Sequence, residues 1–413
     1  MEKEDFIKRV AIPGTMDGLH QSGLGTGKQT GKKKICFVIT NRVHYTRCKQ
    51  LIQQLKNHPQ LELQLVVAAS ALLPKYGDVT SELERDGVPI HAKINMLLEG
   101  GSPITMAKTT GLGLLEMSTV LENLKPDVVL VRGDRYEVLA IAIAAAYMNI
   151  PLAHIEGGDV TGTIDESVRH AITKLAHLHF PTNELSKERI IKMGEDPKQV
   201  HNVGSLDIEY LTTIDLSFPH DLWEKGPEGL GERFDLTKGY VVVMQHPVTT
   251  EYGSGRQQME ETIQAIDALK MPTIWIWPNI DAGNDEVTKA IRVYREHKKP
   301  PFVHFYRYIS PELFARVLNH ASCLVGNSSA GIKECSYLGT PVVDIGTRQG
   351  GRTRAENVIN APHDQEKIKE AMLKQIKNGK YPSSVFYLKE KTSHKIAEIL
   401  AETEIDVQKQ LMY

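Results

Sequence analysis

The sequence predicts an α/β protein of two doubly wound, Rossmann-like parallel-sheet domains with an interdomain cleft. Three observations carry this. The chain has 413 residues, enough for two domains of ordinary size. From residue 35 onward, apolar runs of strand length alternate with segments of helical period. The alternation then recurs as a second consecutive block, and each such block builds a parallel sheet covered by helices. Ligands of these sheets bind outside the carboxyl ends of the strands. Two sheets in tandem therefore place the natural site in the cleft where those ends face each other. Neither half shows GxGxxG after its first strand, so no dinucleotide cofactor is expected.

Composition narrows the function. A net formal charge of −2 gives no electrostatic footprint for nucleic acid. The four cysteines, Cys36, Cys48, Cys323 and Cys335, lack CxxC spacing. That argues against a zinc site or a disulfide framework and fits a reducing cytoplasm. No apolar run approaches the ~20 residues of a membrane span. The first 34 residues lack the apolar core of a secretory signal, so a cytoplasmic protein with no membrane partner is expected.

Residues 1–34 are polar and end in "GLGTGKQTGKKK", which reads as a mobile extension. GxxxxGK[ST] does not fit it: no glycine lies five positions before Gly27 or Gly31, and the stretch precedes a strand instead of following one. The first block, 35–205, opens with the strand "KICFVIT" and a helix carrying Cys48, Leu51, Ile52 and Leu55 on one face. The strands "LELQLVVAAS" and "KPDVVLVRGD" follow. "RYEVLAIAIAAAYMNI" is apolar nearly all round, so its helix is buried. "IPLAHIE" is a strand. "IDESVRHAITKLAHLHF" is a helix with Ile164, Val168, Ile172 and Leu175 on one face, and "LHFPTN" and "VHNVGS" read as the last strands of this half.

The second block, 206–383, has strands at "GYVVVMQHP", "PTIWIWPN", "FVHFYRYI", "SCLVGN" and "TPVVDIG". Between them lie the helices "RQQMEETIQAIDALK", "DEVTKAIRVYREH", "SPELFARVLNHA" and one opening at "SSAGIKE". Ser310 and Pro311 supply an N-cap and a first helical position. Helical stretches at 364–377 and 384–402 follow, with 384–413 as a terminal segment.

Unusual polar residues fall at the strand ends. Arg42 follows "FVIT", Asp134 and Arg135 follow "VVLVRG", and Glu156 follows "PLAHI". In the second half His246 follows "VVVMQ", Asn279 follows "WIWP", Asn327, Ser328 and Ser329 follow "CLVG", and Arg348 follows "VVDIGT". "GNSSAGIKE" is an anion site in form: free backbone N–H groups and a helix dipole worth ~0.3–1 kcal/mol favour a phosphate. The plain alternative makes Ser329 an N-cap only. Glu334, one turn on, has the chemistry to accept from ribose hydroxyls.

Asp134 at the glycine turn "RGDRYE" reads either as a cap or as a functional acid. In "HIEGGDVTGTIDESVRH" glycines let a ligand approach the backbone beside Glu156. Asp165–Arg169 and Glu166–His170 are helical (i, i+4) pairs. Clustered carboxylates raise one another's pKa and supply acid and base near neutral pH. His246 is placed to donate to a diphosphate or to shuttle a proton. His170, His177 and His179 lack HExxH spacing and read as helix-face or capping residues, so no metal is expected.

Taken together, "NRxxY", "GDRYE", "HIEGGDVTGTIDESVRHAITKLAH", "QHPVTT", "PNIDAG", "GNSSAGIKE" and "GTRQGGR" resemble the hydrolysing UDP-N-acetylglucosamine 2-epimerases of sialic acid synthesis, from about 35 to 395. The resemblance implies a GT-B-type fold whose last helices cross back to the first domain, UDP in the cleft and a UDP-sugar substrate. It implies no organic cofactor or metal, and a homodimer or homotetramer. It matches Asp134, Glu156, Asp165 and His246 to the catalytic positions. Arg42, Arg135, Asn279, Ser328, Ser329, Gly331, Glu334 and Arg348 match positions around the substrate. The implied reaction is UDP-GlcNAc plus water giving N-acetylmannosamine and UDP through a glycal.

One departure stands out: His44 in "NRVHY" occupies a position that is usually acidic, which bears on the exact sugar. Some relatives take UDP-2,4-diacetamido-trideoxy sugars. A non-hydrolysing epimerase would resemble "HVEAG" and "SGGIQEE" instead; "HIEGG" and "NSSAGIKE" favour the hydrolysing branch. A GT-B glycosyltransferase has no need of these acids, and a nucleotide-sugar sensor has no use for proton-transfer groups.

Overall fold

Two six-stranded, wholly parallel sheets organise the chain, and they share one topology. In the computed structural model, which describes residues 31–74, 77 and 79–412, the first sheet runs in the order β3-β2-β1-β4-β5-β6. Its strands are β1 (Lys33–Ile39), β2 (Leu61–Ala68), β3 (Ala92–Ile94), β4 (Val128–Arg132), β5 (Leu152–Ile155) and β6 (Leu178–Phe180). The second sheet runs β12-β11-β10-β7-β8-β9. It comprises β7 (Val241–Met244), β8 (Thr273–Ile276), β9 (Val303–Tyr306), β10 (Cys323–Gly326), β11 (Val342–Ile345) and β12 (Val358–Ala361). Counted from its own first strand, each half reverses direction between its first and fourth strands. The ends of β1/β4 and of β7/β10 are therefore where side chains gather.

The strands are continuous Val/Ile/Leu runs because helices cover both faces. On one face of the first sheet, Tyr45, Leu51, Ile52 and Leu55 of the helix Arg42–Asn57 pack over Phe37, Leu65 and Val67. On the other, the apolar helix Tyr136–Tyr147 lies between the helices Pro103–Leu124 and Asp165–Leu175. The second sheet is covered in the same way, by Pro311–His320 on one side and by Gly255–Leu269, Asn284–Lys298 and Gln365–Asn378 on the other.

Several local expectations are corrected. Edge strands β3 and β12 were not visible as apolar runs: they are short and half-exposed, which removes the pattern. "VHNVGS" is not a strand; Val200 makes an isolated bridge to His179, and the segment leads to Ser205, which caps the helix Leu206–Leu211. "LHF" belongs to β6 and not to the preceding helix, which ends at Leu175. The helix Pro103–Leu124, held at its start by a Ser102/Thr105 capping box, adds an element that the sequence reading did not name. The last helix begins at Thr392, not 384. Of the expected extension 1–34, residues 1–30 lie outside the described residues, and β1 already begins at Lys33.

The helix Thr392–Glu402 belongs to the first half's core. Ile396, Ala397 and Leu400 are fully buried in the same cluster as Leu51 and Leu55. Lys33 Nζ donates to the carbonyls of Leu400 at 2.9 Å and Thr403 at 2.7 Å, placing a cation on the orphan carbonyls at the helix end. Burial of one such aliphatic side chain is worth ~1.5–3 kcal/mol. Leu400→Ala should therefore cost ~2–5 kcal/mol through lost burial and the cavity left behind. A urea-unfolding midpoint within error of the parent would show that this helix is dispensable to the core.

Candidate active site

Arg132 is the last residue of β4 and is buried. A guanidinium there needs carboxylates. Its Nη2 donates to Glu156 Oε1 at 2.7 Å, from the end of the adjacent strand β5, and to Asp207 Oδ1 at 2.6 Å. Asp207 also lies 3.2 Å from Arg47 Nη1, and Arg47 in turn donates to Glu334. Lys333, next to Glu334, brings its ammonium to 3.3 Å from Glu156 and 3.8 Å from Asp207. Lys333 and Glu334 come from the second half, Arg132, Glu156 and Arg47 from the first, and Asp207 from the helix Leu206–Leu211 that joins them. Glu156 has φ of +71°, a left-handed conformation that costs a non-glycine residue ~1–3 kcal/mol and clusters at functional sites.

Beside this network sit two acids in contrasting states. Arg169, fully buried, donates to Asp134, and with the charges of Arg352 and Lys333 it holds that carboxyl well below the ordinary aspartate range. Asp134 is not a helix cap: Arg135 occupies the N-cap position, and no side chain caps that helix. Asp165 moves the other way, from 3.8 up to about 6, through burial first and then the negative charges of Asp134 and Asp281. The expected Asp165–Arg169 helical pair is thus replaced. Arg169 goes to Asp134, and Asp165 keeps its proton more readily. The Glu166–His170 pair does form, at 3.8 Å.

The second half contributes donors. His246 Nδ1 accepts from the backbone N–H of Asn279 at 3.1 Å, which leaves the ring proton on Nε2. Burial and the charge of Arg348 push its pKa down to about 3. His246 is therefore a neutral imidazole near pH 7, with its Nε2–H free to donate. Asn327 clamps this histidine, accepting from its N–H at 2.7 Å and donating to its carbonyl at 2.9 Å, and so ties the ends of β7 and β10. Asp281 accepts from Arg135 at 2.8 Å and from Asn279 at 2.5 Å, and lies 3.9 Å from Arg348. Arg135 also holds the buried Glu137 at 2.8 Å.

The remaining predicted residues separate. Ser328, not Ser329, is the N-cap of the short helix Ser329–Ile332, accepting from Ala330 N–H. A break at Lys333 separates that helix from Glu334–Leu338. Glu334 is buried with its second oxygen lacking a hydrogen-bond partner, a free acceptor beside the turn. Gly331 packs against the sheet: a Cβ there would meet Val342 at 2.9 Å. Arg42 is engaged by Glu82 and stacks 3.8 Å over the Tyr308 ring of the second half, away from the carboxylates. Arg348 donates to Asn327 O at 3.1 Å.

The glycines after Glu156 serve the other half's backbone as well. Gly162 N–H donates to Arg348 O at 3.1 Å, and a Cβ on Gly162 would lie 1.8 Å from Thr347 O. Among the described residues no cluster of His, Cys, Asp and Glu could hold a metal ion, and no helix is long and apolar enough to cross a membrane. His177 and His179 stand just before and within β6 instead of on a helix face, bonded to Val407 O and Glu195.

Sequence reasoning missed Arg47, Arg132, Arg169, Asp207, Asp281 and Lys333. Two of them left a signal: Arg132 closes an otherwise apolar strand, and Lys333 interrupts a turn of small apolar residues.

The chain matches the family described as UDP-N-acetylglucosamine 2-epimerase over residues 53–401. It is 33% identical over 368 residues to the UDP-N,N'-diacetylbacillosamine 2-epimerase (hydrolyzing) of Legionella pneumophila, covering 89% of this chain and 95% of that protein. It is 32% identical over 350 residues to a UDP-N-acetylglucosamine 2-epimerase of Neisseria meningitidis, covering 84% and 89% respectively. Its fold is that of the crystal structure of a UDP-GlcNAc 2-epimerase from Neisseria meningitidis bound to UDP-GlcNAc, with TM-score 0.72 at 18% identity, covering 90% of this chain and all of that one.

The raised carboxyl of Asp165 makes a stability prediction. The folded protein binds this proton more tightly than the unfolded chain, so Asp165 favours folding at low pH. That advantage is lost as pH rises from 3.8 towards about 6. Melting curves across this interval should show a loss on the order of 1–3 kcal/mol that Asp165→Asn lacks. Parallel pH profiles for the two proteins would refute the assignment.

Proposed function

Because the chain belongs to the UDP-N-acetylglucosamine 2-epimerase family, we propose that it is the hydrolysing type, converting UDP-GlcNAc and water to N-acetylmannosamine and UDP. The observation that supports this most is the divergence of two neighbouring carboxyls, Asp134 held ionised and Asp165 raised to about 6, in the cleft beside Glu156. Groups pushed apart in this way can take a proton and return one within a single cycle.

In this mechanism an ionised carboxylate, Asp134 or Glu156, removes the C2 proton. The C2–H electrons form the C1–C2 double bond as the C1–O bond breaks, and its electron pair leaves with UDP. Water then adds its hydroxyl to C1 and C2 receives a proton on the opposite face, from Asp165, so that configuration inverts there; the water's own proton restores Asp165, and the proton first taken from C2 leaves to solvent. Charge on departing UDP is met by the Nε2–H of His246, by Arg348, and by the N–H groups of the Ser328–Ile332 turn. Ser329 and Asn279 line the nucleotide, and Glu334 offers its free oxygen to ribose. Arg135 holds Asp281 in place. Arg42 closes the mouth of the cleft against Tyr308.

A second reading shares the chemistry and changes the sugar. The Legionella relative is named for UDP-N,N'-diacetylbacillosamine, which favours trial of a UDP-2,4-diacetamido-2,4,6-trideoxy sugar. We place the enzyme in the cytoplasm, in keeping with its four buried, unpaired thiols. For the assembly we propose a homodimer or homotetramer; Ile104, Leu112 and Leu115 expose an apolar face on the helix Pro103–Leu124.

Both UDP-sugars should be incubated in deuterated water. Free UDP together with a free epimerised sugar carrying deuterium at C2 is the expected result. Epimerised sugar still joined to UDP would establish the non-hydrolysing type instead, and inertness towards both substrates would end the proposal. Glu156→Gln should retain UDP binding and lose turnover by ~10²-fold or more. Undiminished UDP release from that variant would remove Glu156 from the chemistry.

A further inference from the structure

The charges around Glu156 close into a ring of alternating sign. From Glu334 the path runs to Arg47, then 3.2 Å to Asp207, 2.6 Å to Arg132, 2.7 Å to Glu156 and 3.3 Å to Lys333, which is bonded through the backbone to Glu334. Arg132, Asp207, Lys333 and Glu334 are buried; Arg47 and Glu156 keep only slight exposure. Lys333 sits at the break between two short helices, immediately after the turn Ser328–Ile332, and reaches across the cleft to Glu156. Its neighbour Glu334 reaches across to the opposite charge, Arg47. A displacement of the turn must therefore move both contacts at once, and the ring passes it to Glu156 by two routes.

We propose that Arg47 and Lys333 are positioning residues that make the placement of Glu156 depend on occupancy of the nucleotide turn, an inference that rests on the function proposed above. Neither residue touches the reacting sugar in this scheme. Each acts through Glu156, whose carboxylate is held by its cationic partners Arg132 at 2.7 Å and Lys333 at 3.3 Å. The consequence is ordering: Glu156 is presented for proton transfer when UDP holds the turn, and withdrawn when the turn is empty.

The charged groups around Glu156 are Arg132 on β4, Arg47 on the helix Arg42–Asn57, Asp207 and Lys333, while the Cys48 thiol and the Tyr387 phenol, both raised by burial, are neutral.

The test uses the full chain, with kcat measured on the better UDP-sugar and UDP affinity measured by calorimetry. Lys333→Met should lower kcat by ~10²-fold, the scale of a misplaced catalytic group. The Kd for UDP should change far less than kcat, since in this scheme the lysine does not meet the nucleotide and only the reciprocal part of the coupling reaches it. Lys333→Arg should recover ~10-fold or more of that loss, as restored charge implies. Arg47→Met should lower kcat as well, and its combination with Lys333→Met should be no worse than the poorer single variant, because both act through one carboxylate.

Unchanged kcat, a loss matched by UDP affinity, or strictly additive losses would overturn the proposal. If the neutral variants do not fold, Arg47→Lys and Lys333→Arg carry the test, and unaltered kcat in both would overturn it. An inactive parent protein would instead refute the proposed function, so the two failures are distinguishable.

Discussion

A guanidinium at the end of a buried strand must find carboxylates, and the arrangement of the site follows from how Arg132 finds them. Breaking one partner of a buried ion pair costs ~3–5 kcal/mol, because the survivor keeps its charge without compensation. Arg132 draws in Glu156 and Asp207. Asp207, shared, needs a second cation and takes Arg47; Arg47 takes Glu334. By that chain of obligations a residue inside the first sheet specifies where a turn of the second half must sit. Cores alone do not supply such registry, since apolar contact is non-directional. The backbone contact between Gly162 and Arg348 fixes the same approach at another point.

The two sheets share a topology but divide the chemistry. Strand ends in the first half present acids, and strand ends in the second present hydrogen-bond donors. The donor side is set by local backbone geometry: Asn279 N–H chooses the tautomer of His246, and Asn327 holds its main chain. The acid side is set by charge. Arg169 spans from its helix to Asp134, and this one choice decides two protonation states. It stabilises the Asp134 anion, and that anion, with Asp281, makes ionisation of Asp165 harder.

This bears on what can be read from a sequence. Strand-end placement was legible, because a polar residue that closes an apolar run has few places to go; Asp134, Glu156 and His246 all stand where that logic puts them. The partners were not legible. Arg47 and Glu334 are 287 positions apart, and nothing local distinguishes Arg47 from any other solvated residue on a helix. Local rules even misled: (i, i+4) spacing joined Arg169 to Asp165, while a tertiary contact to Asp134 prevailed. Gly331 sits inside a phosphate-like motif, yet the constraint on it is the side chain of Val342 beneath. The edge strands escaped notice because half-exposed strands of three or four residues carry no periodic signal.

His44 shows how the same charge logic extends to the departure from the family's pattern. Its ring lies against Gly133, where a Cβ would stand 3.6 Å from Nε2, and its Nδ1 is 3.3 Å from Thr40 Oγ1. Burial, together with the charges of Arg132 and Arg135, pushes its pKa down to about 3, so it is neutral. A carboxylate at this place would sit beside both arginines and compete with Glu156 for the first and with Asp281 for the second. A neutral imidazole competes for neither. Arg132 is left wholly to Glu156 and Asp207, and Arg135 to Glu137 and Asp281. The neutral imidazole at position 44 and the tight hold of Arg132 on the acid at the end of β5 are then two sides of one electrostatic balance.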